Sequence, residues 1–414
     1  MKNIIVLIVC ILLIFTILPA SANIIVDRTY DSTIFGNTLY VGGSSSGNYT
    51  RIQDAIDNAS DGDIVYVYDD ISPYNEYITI NKKIHLIGEN RNKTIIQGTG
   101  YTTIVTMLTS FVYISNFTIQ NIGPFSDETH DGIIIYYCDN ISIMNINFIG
   151  CGLSYDFQAD PSSFHHDIIN NYVNGKPLVY FEDKTNEIID YSCGEVILVN
   201  CRNITVSNQN ISNLRCGILL LYSNNCYLYK NQITLAICGI LLCFSNNNNI
   251  SENILSFNTR GVIYGASRGN IFMKNIIKSN TVGIYDNLSP FIYGISSNNT
   301  IKKNLIANNG ETGIWLYSSA FIYNNEFINN NLAVAIFWII PVERNNFYNN
   351  KRDVWICASL STFSKIIIED NYWGKSRILP KTNLGVINYA DGIITVIPWF
   401  FIDWHPAKEP YDIL

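Results

Sequence analysis

The sequence predicts an all-β chain wound as a right-handed parallel β-helix, and three observations predict it. Between Arg202 and Ile340 a short pattern returns every 22 or so residues, as in ITVSNQNISNLRCGILLLYS from Ile204 and CYLYKNQITLAICGILLCFS from Cys226. Gly217, Gly239, Gly261 and Gly283 lie 22 apart, and Gly313 follows after a longer turn. Asn208, Asn231, Asn253, Asn275, Asn304 and Asn325 keep nearly the same beat. Within each unit apolar residues alternate only briefly before Asn or Gly breaks the run, which is the signature of short strands and not of helix. A fixed period with the same turn residues fits a coil, in which equivalent strands stack in parallel at roughly 4.8 Å. Asn is expected at the corners because it tolerates the left-handed conformation and its amide can bond to the Asn one coil away. Gly is expected at the same corners because it lacks a Cβ.

Each element follows in chain order. Residues 1–22 carry Lys2, an apolar run from Ile4 to Leu18, Pro19 and the small residues Ala20, Ser21 and Ala22, the pattern of a secretory signal with its cleavage site. The run is short for a bilayer span, the alternative being a retained anchor, and no second apolar span follows. Residues 23–63 form a lead and a capping helix. Thr50 to Gln53 has the form of a capping box, and Ile52, Ala55, Ile56 and Ala59 then share one face. Such a helix covers the open first coil. The coils proper span residues 64–370, beginning with strands at Ile64 to Tyr68, Tyr77 to Ile80 and Ile84 to Ile87.

Between residues 153 and 193 the repeat is interrupted. Asn174-Gly175 between two strand-like runs signals a hairpin, expected here to project from one corner. The interruption concentrates Asp160, His165, His166, Asp167, Glu182, Asp183 and Glu187, and long loops on rigid scaffolds often carry function. Residues 371–414 leave the repeat as a C-terminal cap, with Trp399, Phe400, Phe401 and Trp404 expected to fold over the last coil.

Charged residues make up 14% of the 414-residue chain, and the formal net charge is −8, one unit more negative without Lys2. That balance argues against nucleic acid as a partner. The ten cysteines match no zinc spacing. Cys151, Cys216 and Cys238 each precede a Gly and are expected in one stacked column, as buried free thiols or with a disulfide between Cys216 and Cys238. Asn-x-Ser/Thr sites such as Asn48, Asn92, Asn140 and Asn210 are dense, as in a glycoprotein, although an Asn-rich chain generates them by chance.

The N-terminal order TRIQDAIDNASDGDIVYV, the run VNGKPLVYF followed by VILVNCRNITV, the PbH1-type coils and the late Asn371-Tyr372-Trp373 together resemble the NosD-like family. The resemblance covers most of the chain after the leader. It implies an exported, pectin-lyase-like β-helix grouped with carbohydrate-binding and sugar-hydrolase β-helices. The best-known members are associated with copper delivery to a periplasmic reductase.

Three functions stay open. A copper role asks for clustered imidazole or soft ligands, and only His165-His166, with Asp160 or Asp167 near, offers two; calcium is the other candidate ion. A polysaccharide lyase, hydrolase or epimerase asks for paired carboxylates in a groove. Asp127, Glu128, His130 and Asp131 in SDETHDG resemble the acidic-His motif of uronate epimerases, but lack the Tyr-Gly that precedes it there. The third is a non-catalytic secreted or envelope module that binds a polysaccharide, an envelope glycan or a protein. For this role Tyr222, Tyr264, Tyr285 and Tyr317 would form an outward strip, with Asp160, His165, His166, Asp167, Glu182 and Asp183 as the side-loop binding set. This third reading is the one the sequence supports best.

Overall fold

Ile250, Phe272, Ile301, Ile322 and Val342 stand one above another in register, each from a different coil and each fully buried. Burying such a side chain is worth about 1.5–3 kcal/mol, and the column repeats around the circuit, so the core is continuous along the axis. The computed structural model describes residues 36–100, 102–123, 131–155, 164–286, 296–337, 340–359, 367–377, 379–388, 394–396 and 401–413. The leader at residues 1–22 lies outside them, as do Asp127, Glu128, His130, Asp160, Trp399 and Phe400. The fold is a parallel β-helix of about 13 turns.

The asparagines form three ladders, and their geometry corrects the expected reason for them. Asn231, Asn253, Asn275, Asn304, Asn325, Asn345 and Asn371 are buried, and each Oδ1 accepts the backbone N–H of the residue one coil before. Each Nδ2 donates to a backbone carbonyl of a neighbouring coil, as from Asn275 to Ile250 O at 2.9 Å. The left-handed residue is the one before: Lys230, Glu252, Lys274, Lys303, Asn324 and Arg344 have φ between 52° and 56°. Asn208 belongs to that left-handed column (φ 57°), and the ladder place in its coil is taken by Gln209. Ladder asparagine is therefore selected for hydrogen bonding and not for its backbone preference.

The repeating glycines are likewise not corner residues. They lie inside strands such as Asn210–Leu221 and Gln232–Cys243, four residues past the left-handed residues Asn213 and Leu235. A Cβ on Gly239 would stand 2.5 Å from the carbonyl oxygen of Gly261, and one on Gly261 2.6 Å from that of Gly283. Close approach of successive coils, not positive φ, excludes a side chain there.

Helix α1 (Ile52–Asn58) covers the first coil with Ile52, Ala55 and Ile56 buried. Its N-terminus is not closed by the expected capping box. Arg51 occupies the cap with no side-chain bond, and Glu76, from the coil beneath, accepts from Ile52 N–H at 2.9 Å and Gln53 N–H at 3.1 Å. A carboxylate there also complements the helix dipole.

The hairpin at Asn174-Gly175 is present, with φ of 50° and 79° and Tyr172–Val173 antiparallel to Lys176–Glu182. Its second arm does not project. Leu178 to Glu182 pair in parallel with Glu195 to Val199, which builds the hairpin into the wall.

At the C-terminal end an interior aromatic stack leads to the cap. Phe327, Phe347 and Trp373 lie face to face with centroids 4.9 and 4.6 Å apart. The indole N–H of Trp373 donates to Asp403 at 2.9 Å, and Tyr411 exchanges two bonds with the Asn346 amide. Trp404, expected in the plug, is 60% exposed, and Trp373 does that work instead.

Candidate functional site

Along the glycine-containing strands several buried titratable groups come together. Asp131 is in register with Gly152. A Cβ on Gly152 would meet the Glu195 carboxylate at 2.7 Å, so glycine leaves the room that Glu195 fills. Farther along, Cys216, Cys238 and Arg260 are register partners. Asp131 is fully buried; its Oδ2 accepts from Arg215 at 3.1 Å and from the Thr103 hydroxyl at 3.3 Å, while Oδ1 has no partner. Glu195 is equally buried, accepts the Leu153 N–H at 3.0 Å, and has Oε1 unpartnered. Burial, reinforced by the Asp131 charge and opposed by the Leu153 bond, pushes the Glu195 carboxyl well above the usual carboxylate range. Cys216 and Cys238 are free thiols, with no disulfide. The thiol of Cys216 is pushed well up by its contact with Cys238 and by burial. Cys151 is not part of that thiol pair; it packs at Gly132, close to Asp131 and Glu195.

The wall hairpin gathers a second group. Glu182 Oε1 accepts from His165 N–H at 2.6 Å and lies 3.2 Å from His165 Nδ1, and Oε2 accepts from His166 N–H at 3.0 Å and Tyr180 OH at 2.8 Å. Donor atoms of His165, Glu182 and Asp183 lie within 4.8 Å of one another. Asp183 also accepts from the Asn200 amide at 2.6 Å. The His166 ring turns inward, where Nδ1 accepts from Ile141 N–H at 3.2 Å. Burial lowers its pKa to about 4. Asp167 starts a strand paired with Ser142–Met144 and is not one of the trio.

A third group lies on the outer wall. Tyr285 and Trp315 are register partners, followed by Ala335 and Trp355. Two residues along the strands, Tyr317 and Phe337 stack at 4.5 Å, and Phe337 also meets Trp315 at 5.5 Å and Trp355 at 5.2 Å. Arg260 lies 5.1 Å over the Tyr285 ring. All of these rings are half-buried. Of the tyrosines expected in an outward strip, Tyr285 and Tyr317 belong to this wall. Tyr222 stacks instead on Phe244 at 4.7 Å, and Tyr264 points into the core and is fully buried.

A family model described as periplasmic copper-binding protein (NosD) matches residues 166–378, from the inward-facing His166 to beyond Trp373. The chain belongs to the NosD family. No curated protein matches it. Among solved structures, this NosD-family chain is similar to the Dettilon tailspike protein, at 12% identity over 84% of this chain and 74% of that one, with a TM-score of 0.33. It is also similar to a family 28 exopolygalacturonase of Yersinia enterocolitica, at 9% identity, 77% of each chain and a TM-score of 0.36. A third is the A-module of a mannuronan C-5 epimerase of Azotobacter vinelandii, at 13% identity, 73% of this chain and 92% of that one, with a TM-score of 0.28. None of these likenesses bears on what this NosD-family chain binds.

Of the residues singled out in the sequence, the fold brings together His165, Glu182 and Asp183, sets His166 beside them with its ring inward, and buries Asp131 elsewhere, against Arg215. Glu195, Trp315, Phe337 and Trp355 were missed. A signal for the wall existed: Tyr285, Trp315, Ala335 and Trp355 each stand two residues past the glycine column of Gly283, Gly313, Ala333 and Asp353.

Proposed function

We propose that this NosD-family β-helix is an extracytoplasmic, non-catalytic module that binds a polysaccharide along the wall of Tyr285, Trp315, Tyr317, Phe337 and Trp355. The observation that carries the reading is the half-buried aromatic wall: Tyr285, Trp315 and Trp355 share one register column interrupted at Ala335, and Phe337, two residues along, supplies the ring of that coil. Rings on a rigid sheet offer flat apolar faces at little entropic cost, and the C–H faces of sugar rings stack on such surfaces. Arg260, held over Tyr285, adds hydrogen-bond donors at one end.

Catalysis is left out because Asp131 and Glu195 are both fully buried. A copper role is left out on donor chemistry. Copper(I) favours thiolate and thioether sulfur, whereas the surface trio offers one imidazole and two carboxylates. Glu182 is already used by two backbone N–H groups and the Tyr180 hydroxyl. The thiols of Cys216 and Cys238 are buried. These donors do not fit a copper(I) ion.

Affinity electrophoresis through gels containing soluble polysaccharides tests the reading. Retardation without release of new reducing or unsaturated ends is expected, weakened about tenfold by Trp315→Ala or Phe337→Ala, the equivalent of roughly 1.4 kcal/mol per ring. Melting temperatures recorded alongside separate lost binding from lost folding. Equal retardation of wild type and folded variants, or release of cleaved sugar, would sink the proposal.

A further inference from the structure

One corner of the coil differs chemically from the other two. At the left-handed position before each ladder residue, a second corner has Asn225, Asn247, Gly269 and Asn298, and a third has Leu235, Phe257 and Ser279 followed by Asn308, Asn329 and Asn349. Asn and Gly adopt this conformation at least cost, and neither of these runs carries a cation. The first corner has Lys230, Glu252, Lys274, Lys303, Asn324, Arg344 and Asp370 in the same conformation, with Lys302 beside it. Earlier coils show what the equivalent position can hold: Asn116, Asn145 and Asn170, whose amides bond one to the next at 3.2 and 2.6 Å. Four of the later coils carry a cation in place of that amide: Lys230, Lys274, Lys303 and Arg344. Lys274 and Lys303 stand on adjacent coils, as the bond from Lys274 N–H to Lys302 O shows, and like charges so placed repel. Folding alone does not ask for this.

The ridge is short of compensating charge in a chain whose net charge is −8. Lys230 is 4.0 Å from Glu252, and Glu343 precedes Arg344, but Lys274, Lys302 and Lys303 have no ion pair among the described residues. Beside the ridge the flanking sheet exposes two rings: Tyr227 is 47% and Phe321 46% exposed, in one outward column with Asn249, Ile271 and Thr300 between them. A mainly basic edge flanked by the exposed rings of Tyr227 and Phe321 matches the interface of an anionic lipid bilayer, where ammonium groups meet headgroup phosphates and rings enter the boundary. A soluble polyanion would use the cations but has no need of Phe321 and Tyr227.

We propose that this ridge docks the rod lengthwise on an anionic membrane surface, a peripheral contact distinct from the aromatic wall. The test is vesicle co-sedimentation of the full chain, on phosphatidylcholine alone and on phosphatidylcholine with phosphatidylglycerol. The variant Lys274→Asn/Lys303→Asn places the better residue at each left-handed site, so the fold is retained. Each lysine near an anionic surface contributes roughly fivefold in partitioning, so the double variant is expected to bind anionic vesicles roughly 30-fold more weakly. Binding to phosphatidylcholine, to which residues 1–22 contribute equally in both proteins, is expected to be unchanged. Lys351→Asn, at another corner, is expected to change partitioning less than twofold. Equal partitioning of wild type and double variant overturns the proposal. So does a protein that ignores anionic vesicles yet binds soluble polyphosphate through the same lysines.

Discussion

The backbone N–H of Asn371 donates to Asp403 Oδ2 at 3.1 Å, which places a carboxylate where the next coil would have supplied another asparagine. The ladder that starts at Gln209 therefore ends on a side chain from the cap. The same Oδ2 accepts the Trp373 indole N–H, and Oδ1 accepts from His405 N–H at 3.0 Å. Replacing Asp403 with Ala leaves two buried donors unpaired, and a loss of about 3 kcal/mol is expected. Asp403→Asn, which keeps an acceptor for Asn371 and Trp373, should lose about 1 kcal/mol. Urea unfolding followed by Trp fluorescence distinguishes the two, and equal stability of Asp403→Ala and wild type would refute the terminator role.

Mid-ladder positions should be more sensitive than the left-handed ones beside them. The Asn275 amide donates to Ile250 O and Asn304 Oδ1, and its oxygen accepts from the N–H and amide of Asn253. Asn275→Ala is expected to cost about 3 kcal/mol or more, because buried partners on two neighbouring coils lose their bonds together. Asn324→Lys, at a left-handed site two coils further along the same corner, where Lys303 already serves one coil earlier, should cost less than about 1 kcal/mol. A reversed order of the two midpoints in urea would overturn this division of roles.

The glycine column supplies its own control. Gly239→Ala drives a methyl against the backbone carbonyl of Gly261, and no side-chain rotation relieves a backbone contact at 2.5 Å. Destabilisation toward the upper end of the about 1–3 kcal/mol typical of core overpacking is expected. Ala333 follows Gly313 in this column and is fully buried without difficulty, so Ala333→Gly should cost only about 1 kcal/mol. Thermal unfolding of the two variants decides whether coil-to-coil approach or local backbone freedom sets the requirement.

What was legible in the sequence depended on range. The coil period was legible because each unit repeats its own turn chemistry, and the hairpin because Asn174-Gly175 is a two-residue signal. The reason for ladder asparagine was only half legible: the amide bond was foreseen, but Lys230, Glu252 and Lys274 show that a neighbour takes the left-handed angle. Glu76 capping α1 and Trp373 closing the last coil depend on contacts across a coil, which no local pattern displays. The site followed the same rule. His165 and Glu182, 17 residues apart, share a hydrogen bond and were both singled out. Glu195 and Asp131 act on each other from different coils, and only Asp131 was noticed. The aromatic wall was missed at Trp315 and Trp355 because its spacing is set by the glycine column and not by neighbouring residues.

The interior of the coil contains one carboxylate whose titration should be visible in stability. Asp286 is buried beneath Tyr264 in register, and the Ser318 hydroxyl donates to its Oδ2. Burial, opposed by the bonds from Ser318 and Ser296, raises its pKa from 3.8 to about 6. Because the folded value lies above the unfolded one, the contribution of this carboxyl is fully present below about pH 4 and is lost as pH rises through about 6. Above that window the fold contains a buried charge, at a cost of up to about 3 kcal/mol. Asp286→Asn can still accept from Ser318 and has no proton to lose. The variant is therefore expected to match wild type near pH 4, to exceed it progressively between pH 4 and 6, and to hold a constant advantage above. Unfolding free energies measured in urea across that range check it. A stability difference that does not change with pH would show that Asp286 does not titrate in this window.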